Sequence, residues 1–266
     1  MIRRVGDSRR LGELLPWDDS GVMAPLPEGV PCVVGSPPYN VAIPNYPSGY
    51  PDHVPWGAYY AYARQWAKAI AAVLCPGGRA WVNVQPTVPR TVGEVGGDRI
   101  NLALVWAKAL EEAGLVYRDT VTWVQDSFDG ACAWGSYAQP SNPNMRGGHE
   151  LILVYYKERW DRPIPKEWKG AVAAKARQAD EARLGGPWTD LVRNVWKINP
   201  ANHQAGANGR PQGLPAAFPI DLPARCIRLS TWPGEWVVDP WAGHCTTGQA
   251  ADELGRPSVM VDLGFA

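Results

Sequence analysis

Val238-Asp239-Pro240-Trp241-Ala242-Gly243-His244-Cys245-Thr246-Thr247-Gly248 is the stretch on which the fold turns. The apolar residues leading into it, Trp236-Val237-Val238, read as a buried strand, and residues 246–254 have helical spacing. Between them Ala242 and Gly243 make a tight, small-residue turn. The next apolar run, residues 258–262, ends on Asp262, 19 residues after Gly243. A strand, a small turn, a helix N-terminus and a second strand ending on an acid form the layout of a nucleotide-binding βαβ unit. The acid in that layout meets ribose hydroxyls.

Working outward, Tyr59, Tyr62, Ala63, Trp66, Ile70, Val73 and Leu74 recur at helical spacing, and Pro76-Gly77-Gly78 is expected to close that helix before a strand over 79–84. Leu102, Val105, Trp106, Ala109, Leu110 and Ala113 mark a second helix that ends at Gly114. Strands are predicted over 115–124 and 150–156. Strands alternating with helices predict an α/β fold with a largely parallel sheet and helices on both faces. The proline-rich residues 40–57, the Gly/Ser/Asn/Pro-rich residues 126–148 and the polar residues 201–213 interrupt the pattern. Loops of that length in a compact domain usually serve function.

One interruption carries chemistry. Gly35-Ser36-Pro37-Pro38-Tyr39-Asn40 follows the apolar run Cys32-Val33-Val34, and two consecutive prolines end any sheet ladder there. In an open α/β sheet, ligands bind beyond the carboxyl ends of the strands. The prolines fix φ and lack N–H groups, so the Ser36 oxygen and the local carbonyls form a small set of acceptors, with Tyr39 as a flat wall. A planar ring carrying an exocyclic NH₂ suits such a set. A plain strand-ending proline turn is the alternative reading of the same residues.

These residues carry a resemblance. Ser36-Pro37-Pro38-Tyr39 resembles the catalytic tetrapeptide of the DNA amino-methyltransferases, and residues 239–247 resemble their S-adenosylmethionine turn. Gly6-Asp7, Trp123, the Arg146…His149-Glu150 segment and Ala217-Phe218-Pro219 resemble weaker elements of that family, in the expected order. The resemblance implies a class I S-adenosylmethionine-dependent methyltransferase, Rossmann-like and circularly permuted (the β order, catalytic motif first). It implies catalytic roles for Ser36, Pro37, Pro38 and Tyr39. For the cofactor it implies Asp7, Phe218, Pro219, Asp239, Pro240, Trp241, Ala242, Gly243, His244, Cys245, Thr246, Thr247 and Asp262. Cys245 departs from the family pattern by standing where a glycine is usual. Serine at position 36 is the family's usual mark for N4 of cytosine, with adenine N6 as the runner-up. A nucleic-acid-binding protein with weakened cofactor binding, and methylation of an RNA or protein amide, are the other readings. The organisation expected is a catalytic part over 1–157, a small target-recognition insertion over 158–200 and a cofactor-binding part over 201–266.

The partner implied is double-stranded DNA with the target base flipped out, because an amine inside a duplex cannot reach such a pocket. The loop 40–57 is the segment expected to close over it. Arg146, Lys166, Lys169, Lys175 and Arg177, with Arg3, Arg4, Arg9 and Arg10, are the expected phosphate contacts, or else a solvated basic face. Composition bounds the rest. The 26 basic and 26 acidic residues balance, so no global basic field steers binding, although a local patch is compatible with zero net charge. Five scattered cysteines form no CxxC pair, which reads as a reduced, cytoplasmic chain without a disulfide framework. Cys32 reads as a buried thiol, and His244-Cys245, lacking further ligands, is not expected to hold a metal. No apolar run approaches the length of a membrane span, and a homodimer is left open.

Overall fold

The computed structural model describes residues 1–15, 29–43, 51–92, 97–124, 148–199 and 218–264. Its centre is an eight-stranded sheet. In chain order the strands are β1 (Ile2–Val5), β2 (Val30–Gly35), β3 (Leu74–Val84), β6 (Leu115–Val124), β7 (His149–Lys157), β8 (Val195–Lys197), β9 (Val237–Asp239) and β10 (Ser258–Asp262). A two-stranded ribbon, β4 (Thr87–Pro89) and β5 (Arg99–Asn101), follows β3. The sheet order is β1-β10-β9-β2-β3-β7-β6-β8. The first five strands are mutually parallel, while β7 runs antiparallel to both β3 and β6. The carboxyl ends of β1, β10, β9, β2 and β3 therefore lie along one end of the sheet.

Side-chain alternation along the strands explains why helices cover both faces. Every residue of β2 is buried. Val33 faces one apolar cluster with α2 (Trp56–Val73) and α3 (Leu102–Glu112). Its neighbours Cys32 and Val34 face a second cluster with α6 (Asp221–Arg228) and α7 (Thr246–Glu253). A strand buried on both faces is the expected form in a parallel sheet. The short α1 (Leu11–Leu14) packs with the first cluster, and α4 (Ala171–Arg183) and α5 (Trp188–Leu191) come from the segment between β7 and β8. Asn101 caps α3, its side chain accepting from the Leu104 amide at 2.9 Å.

One expectation is corrected. Pro76-Gly77-Gly78 does not separate helix from strand: α2 stops at Val73 and β3 starts at Leu74. The Pro-Gly-Gly residues instead form an irregularity inside β3, where pairing steps from Val30↔Leu74 to Cys32↔Arg79. Proline lacks the ladder N–H and Gly77 takes φ +79°, so both suit a bulge. Within residues 158–200, Val195–Lys197 pair with β6 as its edge strand. The helices and strands expected at 102–113, 115–124, 246–254 and 258–262 lie where the spacing placed them, within a residue or two. No described helix is long and apolar enough to cross a membrane.

Candidate active site

β2 and β9 are neighbours, and their carboxyl ends bring the two sequence motifs together. The contact is close: a Cβ on Gly35 would lie 2.4 Å from Asp239 Oδ1, with Trp241 Cε3 at 3.2 Å. Only glycine lets the turn before Ser36 lie against the acid that ends β9.

Asp239 is 1% exposed. Its carboxylate accepts from the Trp241 amide at 2.9 Å and from the Thr247 hydroxyl at 2.5 Å, so it ties the turn to the first turn of α7. Burial pushes its pKa up to about 7, with nearby Asp262 adding to the shift and the two hydrogen bonds opposing it. Asp262, also buried, accepts from the Gly243 amide at 2.9 Å and the Gly264 amide at 3.0 Å. A carboxylate oxygen has two acceptor sites, so a ribose hydroxyl can share it with an amide. Cys245 takes φ 60°, ψ 31° as the residue before α7. Its thiol is buried with Ala242 and Met260.

Asp7, Pro38, Tyr62, Trp66, Pro240, Trp241 and Asp262 line one cleft at this end of the sheet. Asp7 precedes a 3₁₀ turn and accepts from the Arg9 amide at 2.9 Å and from its guanidinium. Burial pushes the Asp7 carboxyl up, yet the Arg9 hydrogen bonds and charge outweigh it and hold the pKa below the ordinary value. The Arg9 guanidinium lies 4.5 Å from the centre of the Tyr62 ring. A cleft with acids at its rim and aromatic walls fits the nucleoside part of S-adenosylmethionine: Asp7 and Asp262 offer acceptors, and Tyr62, Trp66 and Trp241 offer apolar surface.

Ser36 and Tyr39 sit beside this cleft in a connected network. Ser36 Oγ is 2.8 Å from the Tyr39 hydroxyl and 3.2 Å from the Asn83 carbonyl oxygen. Tyr39 donates to Glu150 Oε2 at 2.8 Å, and the Asn83 amide donates to the same carboxylate oxygen at 2.6 Å. Burial, and then the Glu150 charge, push the Tyr39 phenol well above its ordinary pKa, so it remains a donor. With its proton committed to Tyr39 or to the Asn83 carbonyl, Ser36 presents lone pairs outward. The Pro38 carbonyl is already taken by the Tyr59 hydroxyl at 2.5 Å, and Tyr59 in turn accepts from Trp106 Nε1 at 3.1 Å. That leaves the Pro37 carbonyl as the second acceptor of the turn.

The loop after Tyr39 begins with a stapled base. Asp52, 3% exposed, accepts from the Asn40 amide at 2.8 Å and the Ile43 amide at 2.6 Å, while Asn40 exchanges two hydrogen bonds with the Val54 backbone. Asn40 takes φ 61°, a left-handed conformation that asparagine tolerates.

Other expected site residues lie elsewhere. Phe218 packs on the second apolar cluster and buried Pro219 accepts the Leu222 amide at the start of α6; neither lines the cleft. Arg146 lies outside the described residues. Lys166, Lys169, Lys175 and Arg177 are exposed, and Lys169 and Arg177 line a separate cleft together with Arg256. The helix carrying Lys175 and Arg177 is anchored by a buried Asp180–Arg256 pair at 2.7 and 2.8 Å, and Arg256 lies just before β10, at the strands' amino ends. Spacing alone missed Asn83. A polar residue inside the apolar run Ala80-Trp81-Val82-Asn83-Val84 was the available signal.

Fold and cleft together place the chain in a class, that of the S-adenosylmethionine-dependent methyltransferase fold. The chain belongs to the N6_N4_Mtase DNA methylase family, whose model matches residues 30–264. It is 30% identical over 136 residues to the type II methyltransferase M.MjaVI of Methanocaldococcus jannaschii, covering 51% of this chain and 66% of the relative. It is 30% identical over 150 residues to M.MthZI of Methanothermobacter thermautotrophicus, covering 54% and 39%. The chain thus spans less than two thirds of these relatives' length. TTHA0409 of Thermus thermophilus, solved with S-adenosyl-L-methionine, superposes with a TM-score of 0.66 at 22% identity over 99% of this chain and 90% of that one. The cytosine-N4-specific PvuII DNA methyltransferase gives 0.65 at 18% identity over 98% and 81%.

Proposed function

We propose that this chain is a DNA methyltransferase that methylates the exocyclic N4 of a flipped-out cytosine. The observation that carries the reading is the approach of Gly35 to Asp239, which sets the acceptor turn beside the acid-rimmed cleft. S-adenosylmethionine supplies an electrophilic methyl group when bound. Asp7, Asp262 and the turn 239–247 hold its nucleoside end in this reading. We read the motif order, with the catalytic turn ahead of the cofactor turn, as the permuted β arrangement.

The amine of cytosine is a weak nucleophile because its lone pair is delocalised into the ring. Acceptors on both of its N–H bonds favour the tetrahedral nitrogen and stabilise the positive charge that grows there. Ser36 Oγ and the Pro37 carbonyl take these two positions, and Tyr39 holds Ser36 in place while its ring bounds the base. Glu150 and Asn83 orient Tyr39. Fixing the amine in line for attack supplies a further part of the rate. Adenine N6 is the second reading, because an amine of the same geometry suits the same acceptors.

Mass spectrometry of nucleosides, after incubating DNA with the protein and isotopically labelled cofactor, tests the proposal. Label in N4-methylcytosine is expected. Label confined to N6-methyladenine would favour the second reading, and label at neither position would overturn both.

A further inference from the structure

The basic helix that the active site does not use borders a cleft of its own. A cavity of about 600 Å³ opens at the amino ends of the strands, between α4 and residues 228–233. That is within the usual size of small-molecule sites. Its walls are aromatic and cationic. Trp168 and Trp232 stack with centroids 6.1 Å apart and planes at 8°, and Trp188 lines it as well. Two of its arginines are neutralised: Arg256 by Asp180, and Arg162 by Glu235.

The others are less fully paired. Arg228 is 5% exposed; its Nη1 donates to the Leu184 carbonyl at 2.9 Å and to that of Gly186, and Glu181 pairs with Nη2 at 4.0 Å, but Nε and Nη2 have no hydrogen-bond partner among the described residues. Arg79 Nε is likewise without a partner, its guanidinium lying 4.3 Å from the centre of the Trp160 ring. Lys169 and Arg177 line the same cleft from its exposed side, and no described acid lies within ion-pair distance of either. Burial draws the pKa of both Arg79 and Arg228 below the ordinary value, an imbalance that a bound anion relieves.

We propose that this cleft is a second ligand site, for a mononucleotide whose phosphate meets Arg177, Lys169 and Arg228 and whose base lies against the tryptophans. Guanidinium forks match phosphate oxygens, and indole faces stack on planar rings. A bare phosphate leaves most of the cavity and its aromatic walls unused. A long strand would run past exposed Glu167 and Glu181 beside the basic groups. A compact ligand with one charged and one flat end fits both constraints. The site lies at the opposite end of the sheet from Ser36, and the inference does not rest on the methyl-transfer reading.

Isothermal titration of the full chain with adenosine and cytidine 5′-monophosphates tests it, with saturating S-adenosylhomocysteine present to occupy the cofactor cleft. Binding of at least one of them is expected to persist, and to weaken at least tenfold in the Lys169→Glu/Arg177→Glu double variant. Both side chains are exposed, so the fold is retained, which circular dichroism checks. Trp168→Leu should weaken the nucleotide but leave inorganic phosphate unchanged. Four results would overturn the proposal: nucleotide heat abolished by S-adenosylhomocysteine, affinity unmoved in the double variant, phosphate binding as tightly as either nucleotide, or a short oligonucleotide binding where neither mononucleotide does.

Discussion

Ser36 is one hydroxyl in a network of four side chains, and its chemistry depends on where its proton points. Tyr39 is held by Glu150 at 2.8 Å and Asn83 at 3.0 Å. Tyr39→Phe should slow methyl transfer by about tenfold, the effect of losing one net hydrogen bond of roughly 1–1.5 kcal/mol, while cofactor binding is unchanged. Pre-steady-state transfer rates beside a cofactor titration check this. Cys245 makes a different case. A non-glycine residue at φ 60° costs on the order of 1 kcal/mol, partly offset by the unfolded-state entropy that a glycine adds. Cys245→Gly should leave the melting temperature equal or slightly higher, and cofactor affinity equal, because the thiol packs on Met260 rather than in the cleft. Asp239 adds a pH dependence. Its folded pKa of about 7 lies above the ordinary 3.8, so the folded state holds the proton more tightly. Its contribution to stability is full below about 3.8 and is lost as pH rises through about 7. Asp239→Asn should flatten the melting temperature between those limits, read by scanning calorimetry at several pH values.

At the scale of elements, the contact between β2 and β9 is the joint of the site. Gly35→Ala would drive a methyl group into Asp239 Oδ1 and should cost about 1–3 kcal/mol together with cofactor affinity, measured by denaturant unfolding and by titration. The anchoring of α4 is a second joint. Asp180→Asn leaves the Arg256 guanidinium, 1% exposed, without its counter-charge, and a broken buried pair typically costs about 3–5 kcal/mol. Early proteolysis between α4 and α5 should accompany the loss. The longer elements were legible in the sequence: α3 buries Leu102, Trp106, Ala109 and Leu110 on one face, and β10 is an apolar run buried throughout. The short edge strands β1 and β8 were not: three or four residues carry no measurable period, and only pairing with β10 and β6 defines them. The Pro-Gly-Gly bulge in β3 was misread for a related reason. Local turn chemistry marks a break in the ladder, but tertiary pairing decides whether the strand resumes.

For the whole molecule, the parallel sheet sorts the functional residues by end. Asp239 and Asp262 close strands, Ser36 follows the end of β2 and Asn83 is one residue short of the end of β3, so their common location follows from strand direction, and pattern reading found three of the four. Which end a helix occupies is not written in its composition. Lys169 and Arg177 look like phosphate contacts in the sequence, yet the Asp180–Arg256 pair carries them to the far end, beside a different cleft. The central claim is that the turn at Ser36 and the cleft at Asp239 form one methyl-transferring site. Single-turnover transfer of labelled methyl to DNA, comparing the natural chain with Ser36→Ala at saturating cofactor, tests it most directly. The expected result is transfer slowed by about 10²-fold, as for removal of one group that stabilises transition-state charge, with cofactor affinity nearly unchanged. Equal rates in the two proteins would contradict the claim and leave Ser36-Pro37-Pro38-Tyr39 as a strand-ending turn.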